Sequence, residues 1–452
     1  MRYIFSKKSF LGLAIIGIVL YSIFHSIVVS ILVLISCVMT LQGLLSIFMM
    51  IYAWNEPDGS PKNKSPLTYE KPAVSFSAVI PLREENEVIY DTLHTISQIN
   101  YPEELKEVII VCHISDTLTI AEVQRVMKIL SRNNFKLITY ENGPINKPRA
   151  LNVGLQHVSM GVVVIFDAED EPHKDIFNIA NTIIIRQKAD VVQSGVQIMN
   201  VKSKWFSALN VLEYFFWYKS MLHYFGSLGV TPLGGNTVFI KKTWIDKVAG
   251  WDETVLTEDA EIGIRLSLLG AKTKIVYDEQ HVTKEEAPIS ISELIKQRTR
   301  WNQGFMQIVA KFPSYGFQNR KQKIISLYIF AWQFIQCLFI LYSLFSILLA
   351  LFSTLPPFIV LFSIFPLYIF FIQQLFSIIA LKEFAKAYNI KLSFWTGLII
   401  AIMTYPYYFI LVFCSIRAAC RFIKKNSSWE KTVHLNKHRL ITQDISFPVN
   451  IL

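Results

Sequence analysis

The chain is short of charge. Only 17% of its 452 residues are Asp, Glu, Lys or Arg, while 52% are apolar and 33 are phenylalanine. That balance argues against a disordered, secreted or nucleic-acid-binding protein and for an integral membrane protein. Cysteine is scarce as well. Cys37, Cys112, Cys337, Cys414 and Cys420 form no CxxC pair, and the nine histidines form no ligand-spaced cluster. Free thiols are the expected state, and neither a disulfide framework nor a Cys/His metal site organises the fold. The sequence also lacks GxxxxGK[ST], HExxH and GxSxG; the first absence removes a P-loop ATPase.

Long uncharged runs take the place of charge. Residues 9–53 contain no Lys, Arg, Asp or Glu. As one helix they would extend roughly 68 Å at ~1.5 Å per residue, too long for a single crossing. Residues 1–53 therefore read as two transmembrane helices, over about 9–30 and 32–53, with Lys7 and Lys8 holding the N-terminus in the cytoplasm. The apolar character returns over 324–352, 355–381 and 394–416, giving about three transmembrane or re-entrant segments in 324–416. Three crossings would leave the tail outside, yet residues 417–452 are basic, with Arg417, Arg421, Lys424, Lys425 and Lys431. Either one segment is re-entrant or interfacial, for which 394–416 with Tyr405-Pro406 at its middle is the candidate, or the chain makes one crossing more. The net charge of +10 lies beside the apolar runs, +3 in residues 1–53 and +7 in 324–452. The middle of the chain is neutral, so no basic face remains for nucleic acid.

A Pro-, Ser- and charge-rich linker, 54–72, opens the middle region. From 73 to 323, apolar runs at 74–80, 107–112, 136–140, 161–166, 190–196, 236–240 and 273–277 alternate with helical patterns such as 119–132 and 175–187. The alternation predicts an α/β domain with a mostly parallel sheet, helices on both faces and a site at the carboxyl ends of the strands. Residues 204–225, rich in aromatics, read as an interfacial amphipathic helix or as a core helix packed on the sheet.

Five short segments carry candidate chemistry. Asp167-Ala168-Glu169-Asp170-Glu171-Pro172 follows the strand-like run 161–166. Its carboxylates can hold a hard divalent cation, or form a solvated acidic turn. Thr257-Glu258-Asp259 opens a helix. It suits an N-cap with acids at the positive end of the dipole, or a general base at Asp259. Gln297-Arg298-Thr299-Arg300-Trp301 offers a guanidinium fork and a flat apolar ring, features that a juxtamembrane helix shares. Lys147, in Asn146-Lys147-Pro148-Arg149, stands at a helix start where phosphates bind. Gly234-Gly235-Asn236-Thr237 precedes a strand and lets a ligand approach the backbone.

Taken in order, Pro81-Leu82-Arg83-Glu84-Glu85, the acidic strand end, Thr257-Glu258-Asp259 and Gln297-x-x-Arg300-Trp301 resemble the family-2 glycosyltransferases. The set is similar to the membrane-embedded, inverting branch that includes the cellulose, hyaluronan and poly-N-acetylglucosamine synthases. Glu285-Glu286-Ala287-Pro288, Gly304-Phe305-Met306-Gln307 and the tail Trp429-Glu430-Lys431-Thr432-Val433-His434 extend the resemblance over about 1–440. It implies a GT-A fold and a cytoplasmic domain acting at the plasma (inner) membrane. It further implies a nucleotide-diphosphate sugar donor, usually a UDP-sugar, and a Mg²⁺ or Mn²⁺ cofactor. By motif, Pro81 with Glu84 or Glu85 would line the nucleoside pocket, and Lys147 would lie near the diphosphate. Asp167 and Glu169 would take the metal positions, with Asp167 also facing the donor. Asp259, beside Glu258, would be the base, and Gln297, Arg300 and Trp301 would hold the diphosphate and the acceptor end. Two departures stand out. Glu169 replaces the usual second Asp, leaving Asp170 to share or take its role, and Cys112-His113-Ile114-Ser115-Asp116 replaces the usual Asp pair, so the acid that contacts the nucleobase is missing or replaced by Asp116. The expected partners are membrane lipids and a polysaccharide acceptor, or else a lipid acceptor for single addition, with a second subunit possible. A silent membrane subunit or a transporter is the remaining reading.

Overall fold

The computed structural model describes residues 27–55, 64–393, 395–426, 428–432, 435–436 and 438–439. Most of the expected first span, 9–30, lies outside them, as do Val433 and His434 of the tail motif. The chain divides into two compact units, one built from its start to Ile51 and Phe334–Ile379, the other from Tyr52–Gln333 and the chain from Ala380 on.

In the first unit the long helix α1 (Ile27–Met50) carries no charged residue. Gly43 is its point of closest approach, where a Cβ would come within 2.6 Å of Ile369. The bare backbone carbonyl of Gly43 accepts from Gln373 Nε2 at 3.2 Å, and Ser36 bonds Tyr342 hydroxyl to hydroxyl. Small and hydroxylic contacts of this kind bring apolar helices together where hydrophobic burial cannot.

The second unit is the α/β domain. Seven strands form its main sheet: β1 (Phe76–Leu82), β2 (Lys106–His113), β3 (Phe135–Tyr140), β4 (Val162–Ile165), β5 (Val191–Ser194), β7 (Val238–Lys241) and β8 (Thr273–Val276). Their order is β3-β2-β1-β4-β7-β5-β8, parallel except for β7, which is antiparallel to both neighbours. Each of the seven apolar runs in the sequence overlaps one of these strands. A separate parallel pair, β6 (Val196–Ile198) and β9 (Thr283–Glu285), has no such signal, because β9 reads Thr-Lys-Glu.

The central strands β1, β2, β4, β5 and β7 are buried on both faces, and their side chains alternate between two cores. Phe76, Ala78 and Ile80 pack with α2 (Ile89–Ser97), α3 (Thr117–Leu130) and α5 (Ile176–Gln187). Val79, Ile109 and Val163 pack with α4 (Lys147–Leu155) and α9 (Glu258–Leu268) on the other face. The segment 204–225 becomes α6 (Ser207–Phe216), a π turn and α7 (Leu222–Ser227). It is buried on most faces, which is the pattern of a core helix.

Numbering the short helix Lys242–Lys247 as α8, the remaining helices are α10 (Ile291–Ala310), α11 (Arg320–Phe352), α12 (Pro357–Ser363), α13 (Phe365–Ala387) and α14 (Thr396–Ile423). Among the described residues, four stretches are long and apolar enough to cross a membrane: Val29–Met50, Arg320–Phe352, Pro357–Ala387 and Thr396–Ile423. Pro406 lies inside α14 without ending it. The residues that α14 buries, Tyr407, Leu411, Cys414, Ser415 and Ala418, share one face. That face meets α10, with Asn302 donating to Ser415 at 3.0 Å and the Cys414 thiol to the Ile295 carbonyl at 3.8 Å.

Gly263 fixes how α9 seats on the domain. A Cβ there would lie 2.6 Å from the Leu233 nitrogen and 2.6 Å from the Thr231 oxygen, both backbone atoms. Ala ordinarily favours a helix interior over Gly by ~1 kcal/mol, but overpacking costs about 1–3 kcal/mol. Gly263→Ala is therefore expected to lower the thermal midpoint. Gly316→Ala, where a Cβ meets nothing within 4 Å, should leave it unchanged. Thermal unfolding of the two variants checks this.

Candidate active site

The carboxyl ends of β1, β2 and β4 and the start of antiparallel β7 lie on one edge of the sheet, since Ile165 pairs with Val238. Asp167 follows β4 on this edge, and Gly235-Asn236 precede β7. Lys147 is placed here by α4, whose N-cap Asn146 accepts from the Arg149 N–H at 3.0 Å with Pro148 in the first turn.

Lys147 joins the parts. Its Nζ lies 2.5 Å from Asp167 Oδ1 and 3.9 Å from Glu258 Oε1, and donates to the Gly235 carbonyl at 2.9 Å. A Cβ on Gly235 would stand 3.1 Å from Asp259 Oδ2 and 3.3 Å from Lys147 Nζ, so only glycine leaves this space open. Four of the predicted residues, Lys147, Asp167, Glu258 and Asp259, thus meet around one bare peptide. Burial opposes the Lys147 charge, but Asp167 and Glu258 outweigh it and hold the ammonium above its usual range. Burial pushes Glu258 up to about 7 and raises Asp259, while Lys147 pulls both down.

The acidic turn has an inside and an outside. Asp167 and Glu169 are partly exposed, whereas Asp170 is fully buried. Asp170 accepts from the Asp167 N–H at 2.8 Å and from Asn236 Nδ2 at 2.6 Å, and the same Asn236 nitrogen reaches Glu285 Oε1. Asp170 is thus enclosed and bonded within the protein, whereas Asp167 and Glu169 are partly exposed. Burial, then Glu285, raises Asp170, and burial, then Glu169 and Asp167, pushes Glu285 up to about 8. Gln193 on β5 pins the loop that carries Asn236, accepting from the Gly234 N–H at 2.8 Å and donating to the Asn236 carbonyl at 3.1 Å.

Among the described residues, no group of three or more His, Cys, Asp or Glu can hold a metal by itself. Asp167 and Glu169 still fit a hard divalent cation that takes one or two carboxylates and completes its shell with water and substrate phosphates. Carboxylates held up by one another's charge also gain from an added cation.

The residues expected at a nucleoside pocket gather beside β1 and β2. Pro81 lies in register with Val111. Glu84 has φ 55°, and this strained turn is held by its N–H donating to Asp116 Oδ2 at 2.6 Å. Asp116 is also the N-cap of α3, accepting from the Thr119 N–H at 3.3 Å. Glu85 pairs with Lys431 of the tail at 3.1 Å; burial, then Glu169, pushes it up to about 8, and Lys431 opposes that rise.

The third group lies on α10. Gln297 is buried with its side-chain oxygen unbonded. Trp301 lies under the Arg298 guanidinium at 4.3 Å and 6.4 Å from the Tyr214 ring. Arg298 pairs with Glu213, which also accepts from the Tyr407 hydroxyl at 3.0 Å. Arg300 lies over the tail ring of Trp429 at 5.0 Å. Thr257 stands at the N-cap of α9, but its hydroxyl caps nothing; it packs against Gly304 of α10 and seats α9 there.

Sequence reading assigned no role to Asn236, Glu285, Lys431 or Arg439. The signal for Asn236 was present, a polar residue between two glycines and a strand. The tail residues Lys431 and Arg439 act across 269 positions or more, beyond any local pattern.

A base works only when deprotonated, and Lys147 favours that state in Glu258 and Asp259. Lys147→Met is expected to move the acidic limb of the pH–kcat/KM profile to higher pH and to cut the neutral-pH rate by about 10²-fold. A pH profile of the variant beside the parent tests this.

The model for the glycosyltransferase-like family 2 matches residues 72–304. A probable glycosyltransferase of Bacillus subtilis (strain 168), YdaM, is 26% identical over 251 residues, covering 55% of this chain and 59% of its own. The poly-β-1,6-N-acetyl-D-glucosamine synthase of Staphylococcus epidermidis is 27% identical over 256 residues, covering 56% and 59%. These matches span about three fifths of the length of either relative. Among solved structures, the mannosyltransferase PcManGT from Pyrobaculum calidifontis, in complex with GDP-Man and Mn²⁺, superposes with a TM-score of 0.54 at 17% identity. It covers 88% of this chain and 100% of its own, and supports the GT-A fold. With more than half of its length matched by the family model, and its α/β domain in a GT-A arrangement, this chain belongs to the glycosyltransferase-like family 2.

Proposed function

We propose that the protein is an inverting glycosyltransferase that moves a sugar from a nucleotide-diphosphate donor, a UDP-sugar, to a growing polysaccharide at the membrane. The observation that carries this reading is the meeting of Lys147, Asp167, Glu258 and Asp259 around Gly235 at the carboxyl edge of the sheet. Pro81, Glu84, Glu85 and Asp116 line the nucleoside end. Lys147 and Arg300 face the donor diphosphate and Trp301 the acceptor sugar, with Gln297 beside them. Asp167 and Glu169 would hold Mg²⁺ or Mn²⁺, which neutralises charge on the departing diphosphate.

Asp259 takes the proton from an acceptor hydroxyl as its oxygen attacks the anomeric carbon. The C–O bond to the diphosphate breaks on the opposite face, and the nucleoside diphosphate leaves. One displacement inverts the carbon, and no sugar is held covalently by the protein. The polysaccharide synthases among the relatives support a polymer as product.

The reading also fixes a topology. α11 and α13 cross out and back, returning residues from 380 to the side where α11 began. α14, seated on α10 through one face, exposes Ile402, Phe409, Phe413 and Ile416 on another and lies at the bilayer surface. The basic tail then stays on the side of the α/β domain, the cytoplasmic side by the positive-inside rule.

Asp259→Asn is expected to cut nucleotide release in lipid nanodiscs by about 10²–10⁴-fold while donor affinity stays within ~3-fold. Unchanged transfer by the variant would remove Asp259 from the base role. Sizing the wild-type product decides the acceptor: a ladder of long chains supports polymerisation, and a single added sugar on lipid contradicts it.

A further inference from the structure

The acidic turn is gripped by its backbone as well as by its side chains. Thr92 Oγ1 on α2 donates to the Ala168 carbonyl at 2.5 Å. Arg439 reaches the same place from the far end of the chain. One terminal nitrogen donates to the Asp170 carbonyl at 2.7 Å and to Thr92 Oγ1 at 3.0 Å. The other donates to Thr95 Oγ1 at 2.8 Å and to the Asp91 carbonyl at 3.3 Å. Asn436 anchors the approach, its Nδ2 lying 3.1 Å from the Val88 carbonyl and 3.1 Å from Asp91 Oδ2.

The turn needs such a grip. It places Asp167, Glu169, Asp170 and Glu171 within five consecutive residues, and Glu285 approaches from β9. Like charges this close push the turn open. Lys147 answers Asp167 on one side, and Lys284 pairs with Glu171 at 3.2 Å. Asn236 fixes the buried carboxylate of Asp170. The outward carbonyls of Ala168 and Asp170 are left to Thr92 and Arg439, and the Arg439 charge also stands among Glu171, Asp91, Asp170 and Glu169. A planar fork with several donors can bridge a helix and a turn at once, which a point charge cannot.

We propose that Arg439 is a positioning residue. By gripping the Asp170 carbonyl and Thr92, it sets the direction in which Asp167 and Glu169 face the donor, so that docking of the tail is a precondition for cation and donor binding. This rests on the reading of Asp167 and Glu169 as the cation-holding acids.

The test uses the full chain in lipid nanodiscs, with Arg439→Gln, Arg439→Lys and Thr92→Val. Hydrogen exchange of peptides covering 166–172 and Mn²⁺ binding by electron paramagnetic resonance without donor are the readouts. Arg439→Gln should speed exchange in 166–172, leave β2 protected and weaken Mn²⁺ binding by about 10–100-fold. Arg439→Lys should restore part of both, and Thr92→Val should loosen the same peptides. The donor KM of Arg439→Gln should rise more than kcat falls. Unchanged exchange in 166–172 and unchanged Mn²⁺ affinity in the Gln variant overturn the proposal. So does faster exchange spread through β2, which would make Arg439 a general fold contact. Neither readout needs sugar transfer. A wild-type protein that binds Mn²⁺ and donor yet transfers nothing therefore counts against the glycosyltransferase reading and leaves the role of Arg439 standing.

Discussion

The site depends on one cation among many acids. Lys147 lies between Asp167, Glu258 and Asp259, three groups from two distant parts of the chain, and it also donates to the Gly235 carbonyl. Without it, the end of β4 and the start of α9 would repel across a partly dry space. With it, the two are drawn to one point, and Glu258 and Asp259 stay lower than burial alone would leave them. In the proposed reading the same balance would suit a diphosphate–cation pair, since further positive charge beside Asp167 and Glu169 would relieve what Lys147 only partly offsets.

The antiparallel strand β7 is what makes this geometry possible. Reversed between β4 and β5, it delivers Gly235 and Asn236 to the edge where the parallel strands end. Gly235 supplies the open space and Asn236 the bridge from Asp170 to Glu285. The acidic turn thus divides into a buried, hydrogen-bonded half and a half that faces outward. The tail, through Lys431 on Glu85 and Arg439 on the turn, adds counter-charge that the α/β domain does not supply from nearby sequence.

Much of this was legible beforehand, for physical reasons. The central strands are buried on both faces, so they appear as continuous apolar runs, and each of the seven runs overlaps one strand of the main sheet. Asp167 and Lys147 were readable because strand ends and helix starts are where such sheets bind ligands. β9 was not, since it reads Thr-Lys-Glu and pairs with the short β6 and, at Lys284, with Glu171, so it carries no apolar period. The separation of Asp170 from Glu169 was also hidden, because alternation along a strand does not continue through a turn. The role of α14 stayed ambiguous in sequence because both of its faces are apolar; only the contacts to α10 distinguish them. Arg439 and Asp170 are 269 residues apart, beyond any local pattern.

The most direct measurement is nucleotide release from a panel of UDP- and GDP-sugars by the full-length protein in lipid nanodiscs, with Mn²⁺ or Mg²⁺ supplied or chelated. Release from a UDP-sugar that stops on chelation and returns with the cation is the expected result. Release that continues undiminished without a divalent cation would contradict the assignment of Asp167 and Glu169. A folded protein that binds no nucleotide sugar at all would contradict the glycosyltransferase reading itself.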